Sequence, residues 1–175
     1  MSEKIEINYV FDEDKISRMS GGAYQVIING KLLSKDINEE KMDKGKRFGY
    51  SGDYLYVDLY KLLEATVEVS ENLELYEKHT VKFESFRDFI LLEYLGDDKI
   101  RVGYRIFEQN SEKESYYCAD PPSACGYVVN VKKWIEALEK TVKNYQEDLR
   151  KFDTRDSADW FDSELDKLEN IKQRY

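Results

Sequence analysis

The segment from Gly126 to Phe152, GYVVNVKKWIEALEKTVKNYQEDLRKF, constrains the fold more than any other part of the chain. A short apolar run leads into apolar residues that recur at three- and four-residue steps, the spacing that places side chains on one face of an α-helix. These residues are Val131, Trp134, Ile135, Leu138, Val142, Tyr145, Leu149 and Phe152. Charged residues fill the opposite side, so the pattern predicts a helix with one solvated face. Its apolar face must be buried against the rest of the chain.

Other segments favour β-strands. Residues Lys4 to Phe11 alternate between apolar and polar, which is typical of a half-buried strand, and Tyr24 to Asn29 predicts a strand that pairs with it. From His79 to Gln109 the pattern is mostly β, and the turn sequence Gly96-Asp97-Asp98-Lys99 predicts a tight hairpin. Residues Tyr116 to Ala119 are compatible with a further strand.

Two further helices are predicted. The segment from Asp53 to Val69 mixes strand and helix spacing, which we interpret as a strand end followed by a helix from about Val57. A C-terminal helix at about residues 156–174 keeps apolar spacing, with Asp156 or Ser157 as its cap. Trp160 and Phe161 are interpreted as anchors of this helix onto the body, and the alternative is an exposed Trp160 in a partner surface.

Two stretches lack a clear periodic pattern. Leu33 to Gly52 is polar and charged and is interpreted as an exposed connection, and Glu71 to Tyr76 is ambiguous. The order of the other elements predicts an α+β fold. We expect an antiparallel sheet packed against a long amphipathic helix, with a shorter internal helix and a C-terminal helix. A chain of 175 residues suits a single domain over residues 1–175.

The charge of the chain limits its partners. Its 36 acidic residues exceed its 27 basic residues and give a formal charge of −9. Such a balance repels phosphate backbones, so direct binding of DNA or RNA is disfavoured. The same field attracts a basic protein and speeds its association, so we expect a basic protein partner.

The N-terminus lacks the features of a signal peptide, and no stretch has the apolar length that crosses a bilayer, so a cytoplasmic location is expected. Cys118 and Cys125 are seven residues apart and could close a small loop in an oxidising compartment. In a cytosolic domain free thiols are favoured. A metal site there would need two more ligands nearby, so neither a metal nor a cofactor is predicted.

Catalytic signatures are weak in this sequence. His79 is the only histidine, and no nucleophile motif surrounds it, so a surface or strand-edge histidine is favoured over a catalytic one. Carboxylates are abundant enough that a pair could meet in a cleft, as a glycosidase-like site requires. An enzyme that uses dispersed carboxylates and tyrosines therefore stays open as an alternative to a non-catalytic protein.

The 14 tyrosines suit a binding surface, because tyrosine combines a large contact area with a low ordering cost. The alternative is that most of them pack at sheet edges and helix seams. As partner-binding residues we predict acidic turns at the rim and exposed tyrosines at the centre. The rim candidates are Asp12, Glu13, Asp14, Asp97 and Asp98, and the central candidates are Tyr54, Tyr56 and Tyr104.

In size, acidity, aromatic content, element order and lack of active-site motifs, the chain resembles the immunity proteins of bacterial polymorphic-toxin systems. The resemblance extends over the whole chain. It implies a protein that binds a cognate toxin, often a basic nuclease, and blocks it without chemistry of its own. The alternative binding function is that of a phage-type inhibitor or nucleic-acid mimic, which occupies the basic groove of a host enzyme.

Overall fold

The computed structural model describes residues 3–11, 22–33, 54–82, 88–107, 116–118, 126–151 and 158–175. These residues form eight strands and three helices and confirm the α+β class. In chain order they are β1 (Ile5–Phe11), β2 (Gly22–Ile28), β3 (Lys31–Leu32), α1 (Leu55–Asn72), β4 (Lys78–Lys82), β5 (Asp88–Gly96), β6 (Lys99–Phe107), β7 (Tyr116–Cys118), β8 (Tyr127–Asn130), α2 (Val131–Lys151) and α3 (Asp162–Lys172).

The strands divide between two antiparallel sheets. One has the order β1-β2-β3, and the other has the order β4-β5-β6, with β7 and β8 both paired to the free edge of β6. Alternation along a strand shows which residues share a face, but it does not show which strands share a sheet. The sequence therefore did not indicate this division.

The predicted pairing of the first two strands and the predicted hairpin are both confirmed. β1 pairs with β2 from Ile5 opposite Ile28 to Phe11 opposite Gly22. β5 pairs with β6 through a turn at Asp97 and Asp98, whose φ angles are 49° and 57°. Two consecutive left-handed residues are what a type I′ turn between antiparallel strands requires, and aspartate tolerates this conformation better than most residues.

Helix α1 lies at the centre of the described structure. It begins at Leu55, two residues before the predicted start, so the strand interpretation of the residues from Leu55 onward is wrong. α1 contacts β2 of the first sheet, β4 and β5 of the second sheet, and both other helices. Because it is covered on several sides, its buried residues do not form the single stripe that identifies an amphipathic helix.

Helix α2 matches its prediction closely. It follows β8 directly, and its predicted apolar face is buried from Val131 to Tyr145, with Trp134, Ile135 and Leu138 fully enclosed. Leu149 is partly buried, and Phe152 lies outside the described residues. It lies along β1, the edge strand of the first sheet. There the Thr141 hydroxyl donates a hydrogen bond to the Ile7 carbonyl oxygen (2.7 Å). The long amphipathic helix thus covers a strand edge as well as a core face.

Helix α3 corrects part of the C-terminal prediction. Its residues run from Asp162, and the proposed caps Asp156 and Ser157 lie outside the described residues. Phe161 is fully buried and anchors the helix, as predicted. Trp160 is 60% exposed, so its interpretation as an anchor is wrong and the alternative position at the surface holds.

Leu33 also departs from its prediction. It is buried and donates its backbone N–H to the Val26 carbonyl oxygen (2.8 Å), so the exposed connection does not begin there. The rest of that connection, residues 34–52, lies outside the part of the chain that the structure describes. None of the described helices is both long and apolar enough to cross a membrane.

Candidate functional site

Two of the three tyrosines predicted at the centre of an interface are buried. Tyr56 is 4% exposed and packs edge-on against Phe161, with ring centroids 5.1 Å apart. Tyr104 is 6% exposed and lies opposite Ile90 within the second sheet. Because the core encloses both rings, the expectation that they are exposed is wrong, and their contact with a partner stays a prediction. Tyr54 precedes α1 and is exposed, as predicted.

Tyr104 of β6 belongs to a buried polar cluster with Tyr24 of β2 and Asp58 of α1. Burial, followed by the neighbouring Asp58 carboxylate and Tyr104, raises the pKa of the Tyr24 phenol well above its usual range. Asp58 accepts a hydrogen bond from the Tyr54 backbone N–H (3.4 Å) at the start of α1. A carboxylate grouped with tyrosines is what the enzyme alternative needs, but these groups are buried away from solvent. Their geometry suits a link between α1 and both sheets.

His79 lies on β4, an edge strand of the second sheet, as predicted. Its Nδ1 is 3.1 Å from Oε2 of Glu68, and its Nε2 is 3.8 Å from Oε2 of Glu77. These contacts join α1, the following turn and β4. Within the described ranges, no three histidine, cysteine, aspartate or glutamate side chains are grouped closely enough to hold a metal ion.

The acidic candidates Asp97 and Asp98 are exposed, as predicted, and their neighbours were not foreseen. The turn that follows α1 packs against the β5–β6 turn. The Tyr76 backbone N–H donates a hydrogen bond to the Tyr94 carbonyl oxygen (2.8 Å). A Cβ placed on Gly96 would be 3.2 Å from the Leu75 side chain, so this leucine touches the hairpin.

We call this region the α1 end surface. It consists of the acidic residues Glu71, Glu74, Glu77, Asp97 and Asp98 and the apolar residues Leu73, Leu75 and Tyr76. All eight are exposed, and Leu75 and Tyr76 reach 59% and 63% exposure. Lys78 and Lys99 follow the two turns, and Lys167 lies close enough to Glu71 to interact with it electrostatically, so the five carboxylates outnumber these three ammonium groups. Large apolar side chains exposed among polar neighbours are typical of interaction sites.

Tyr175 lies beside the α1 end surface. Its hydroxyl donates to the Ser70 carbonyl oxygen (3.4 Å) near the end of α1. Burial raises the pKa of Tyr175 to about 12, with further contributions from the nearby Tyr94 and Asp98. Tyr175 thus helps to hold α1 next to the β5–β6 turn.

A second exposed aromatic site lies at the opposite end of α1. The Trp160 ring is 5.9 Å from the Tyr56 ring, measured between centroids, and Tyr54 is exposed at the same end of the helix. The 18 residues of α1 span about 27 Å. Therefore the structure separates Tyr54 from Asp97 and Asp98, which were predicted to act together.

Several other predictions are outside the described structure. The acidic triplet Asp12, Glu13 and Asp14 is among them, and so are Cys125 and the side chain of Cys118. The involvement of the triplet in binding and the presence of free thiols stay predictions.

Sequence reasoning missed Leu73, Leu75 and Tyr76. The available signal was the ambiguity of Glu71 to Tyr76, where leucines and a tyrosine alternate with carboxylates without completing a helix or a strand. A scan against models of protein families found no match, and searches of curated proteins and of solved structures found no match either. The site is therefore interpreted from its geometry and chemistry.

Proposed function

We propose that this chain is an acidic, non-catalytic binding protein of the immunity type, which holds a basic toxin and blocks it by direct contact. The observation that carries the proposal is the α1 end surface. Exposed apolar side chains there, led by Leu75 and Tyr76, lie next to the exposed carboxylates of Asp97 and Asp98. An apolar area with an acidic border suits a partner that has an apolar site with a basic border.

The charge of the chain supports the same partner. With a formal charge of −9, the field attracts cations over the distance of a Debye length, about 8 Å at physiological salt. Electrostatic attraction of this kind raises the rate of encounter, whereas buried contacts determine how long the complex lasts. A protein that must capture a toxin quickly benefits from the first effect.

The closure of the buried polar cluster favours binding over catalysis. Asp58 and Tyr24 are enclosed by α1 and both sheets, so a substrate would reach them only after the core opened. The α1 end surface, in contrast, is accessible without any rearrangement.

The test begins with capture of the partner from the cells that make the chain, followed by measurement of association rates with the purified partner. The key variant is Asp97→Asn with Asp98→Asn, because asparagine keeps the left-handed turn while it removes both charges. The matched control is Glu147→Gln with Asp159→Asn. It removes two exposed carboxylates that lie outside the α1 end surface, Glu147 on α2 and Asp159 beside Trp160.

We expect the Asp97 and Asp98 variant to associate about three- to tenfold more slowly at low salt and to show a weaker salt dependence. The control should change the rate less than twofold. If both variants behave alike, or if the rate is indifferent to salt, electrostatic docking through Asp97 and Asp98 is wrong. Immunity-type function further requires that the captured protein stops growth when expressed alone and that co-expression of this chain restores it.

A further inference from the structure

The turn after α1 has an unusual backbone. Leu73 and Tyr76 have φ angles of 51° and 66°, in the left-handed region. Glycine and asparagine usually occupy such positions after a helix, because a side chain with a Cβ is strained there. Left-handed conformations of bulky residues are uncommon and concentrate at functional sites. In this turn both residues carry large apolar side chains that are exposed to solvent.

The turn is also held firmly in place. Its start follows α1 directly, and its end leads into β4. Between them, the Tyr76 N–H binds the Tyr94 carbonyl, the Glu77 N–H binds the Glu74 carbonyl (3.3 Å), and Leu75 rests against Gly96. The backbone that carries the exposed side chains is thus fixed before a partner arrives, which lowers the entropy that is lost on binding.

We propose that Leu75 and Tyr76 are the anchor of the α1 end surface and insert into an apolar pocket that is bordered by lysine and arginine on the basic partner. This inference rests on the proposed function. The choice of partner follows from charge complementarity, since Glu74 and Glu77 flank the two anchors directly and Asp97 and Asp98 stand at the neighbouring turn. A few buried aromatic or aliphatic residues usually dominate the lifetime of a complex, while charges at the border influence its formation.

The first test measures dissociation of the captured partner from Leu75→Ala and Tyr76→Asn. Each variant should dissociate about tenfold faster or more, with an association rate within about twofold of the wild type. Trp160→Ala is the matched control, because it removes an equally exposed aromatic ring at the opposite end of α1. Unchanged dissociation of the Leu75 and Tyr76 variants, or a larger effect of Trp160→Ala, would overturn the inference.

A second test needs no partner. Tyr76→Asn removes an exposed ring and places a residue that tolerates the left-handed conformation, so the melting temperature should stay the same or rise. A fall of more than about 4 °C would show that Tyr76 supports the fold, and the proposed role would be lost. Analytical ultracentrifugation of the free chain tests whether a second copy of the chain covers this surface. A dimer that Tyr76→Asn dissociates would mean that a second copy, and not a basic partner, covers the anchor.

The two proposals can fail separately. If neutralising Asp97 and Asp98 slows association while Leu75→Ala leaves dissociation unchanged, the surface is correct and the anchor is wrong. If Leu75→Ala speeds dissociation while neutralisation changes nothing, the anchor is correct and electrostatic docking is wrong.

Discussion

Trp134 links α2 to α1 through one buried hydrogen bond. Its indole N–H donates to the Thr66 hydroxyl oxygen (3.0 Å), and that hydroxyl donates to the Leu62 carbonyl oxygen (2.8 Å). Trp134 and Thr66 are both fully enclosed. A buried indole must find an acceptor, so Thr66 determines how this ring can be oriented in the core.

The first prediction concerns this pair. Thr66→Val keeps the shape of the side chain but leaves the indole N–H without its acceptor, and it should lower the free energy of unfolding by about 1–3 kcal/mol. In a Trp134→Phe background no indole donor remains. The same threonine change should therefore lower the free energy of unfolding by about 1 kcal/mol less than it does in the wild type. Urea denaturation of the four proteins in this cycle measures the difference. Strictly additive effects would contradict the hydrogen bond.

The second prediction concerns pH. Burial raises the pKa of Tyr24 and of Tyr145, with further contributions from Asp58 and Tyr104 for Tyr24 and from Tyr56 for Tyr145. Above about pH 10, these two phenols stay protonated in the folded state, whereas the same phenols in the unfolded chain lose their protons. Their contribution to stability is therefore complete below about pH 10, the unfolded pKa of tyrosine, and is lost as pH rises above it.

The free energy of unfolding should thus fall above about pH 10 by about 1.4 kcal/mol per pH unit for each such phenol. Urea denaturation from about pH 9 to about pH 11, with Tyr24→Phe as the comparison, measures this slope. The variant should show a shallower decline. Equal slopes in the two proteins would mean that Tyr24 ionises as easily in the folded chain as in the unfolded one.

At the level of elements, α2 covers the edge of β1 that does not pair with β2. Besides the bond from Thr141 to Ile7, the Tyr9 hydroxyl donates to the Asp148 carboxylate (2.6 Å) near the end of α2. Before β1 and α2 begin, the Glu3 carboxylate accepts the N–H of Asn130, the last residue of β8 (3.0 Å). An uncovered strand edge can pair with another chain, so this helix also discourages aggregation.

The third prediction tests that protection. Thr141→Val removes the donor to Ile7 and should lower the free energy of unfolding by about 1–2 kcal/mol and speed amide hydrogen exchange in β1. Thr141→Ser is the control, because it keeps the hydroxyl. Denaturation and hydrogen exchange measure both effects. Equal stability of the valine and serine variants would show that the bond to the strand edge contributes nothing.

For the molecule as a whole, α1 makes the two sheets depend on each other. It contacts β2 in one sheet and β4 and β5 in the other, and its buried leucines Leu59, Leu62 and Leu63 are fully enclosed. Loss of this helix would expose both sheets together. The predicted single domain stays a prediction, and cooperative unfolding is its physical consequence.

The fourth prediction follows from that position. Leu62→Ala should lower the free energy of unfolding by about 2–5 kcal/mol, because it leaves a cavity at the centre of the core. Circular dichroism and Trp134 fluorescence, recorded in a Trp160→Phe background, should agree with each other on the midpoint in both proteins, and that midpoint should be lower in Leu62→Ala. Midpoints that separate would indicate that the sheets unfold as independent units.

The candidate site was only partly predictable. Aspartates at positions 97 and 98 were recognised because tight hairpins need residues that tolerate positive φ, and such turns are exposed. Tyr56 and Tyr104 were misplaced because a tyrosine is compatible with a core, an edge or an interface. Leu75 and Tyr76 were missed because their segment has no repeating pattern to interpret.

The sequence by itself determined α2, the β5–β6 hairpin, the pairing of β1 with β2 and the acidic character of the surface. These features depend on short-range periodicity, turn chemistry and total charge, which are fixed within a few residues or by composition. Only the tertiary structure decided the central place of α1, the division into two sheets and the exposure of each aromatic ring. Burial depends on neighbours that are distant in sequence, such as Phe161 against Tyr56 or Gly96 against Leu75. Local sequence patterns do not show which distant residues will be in contact.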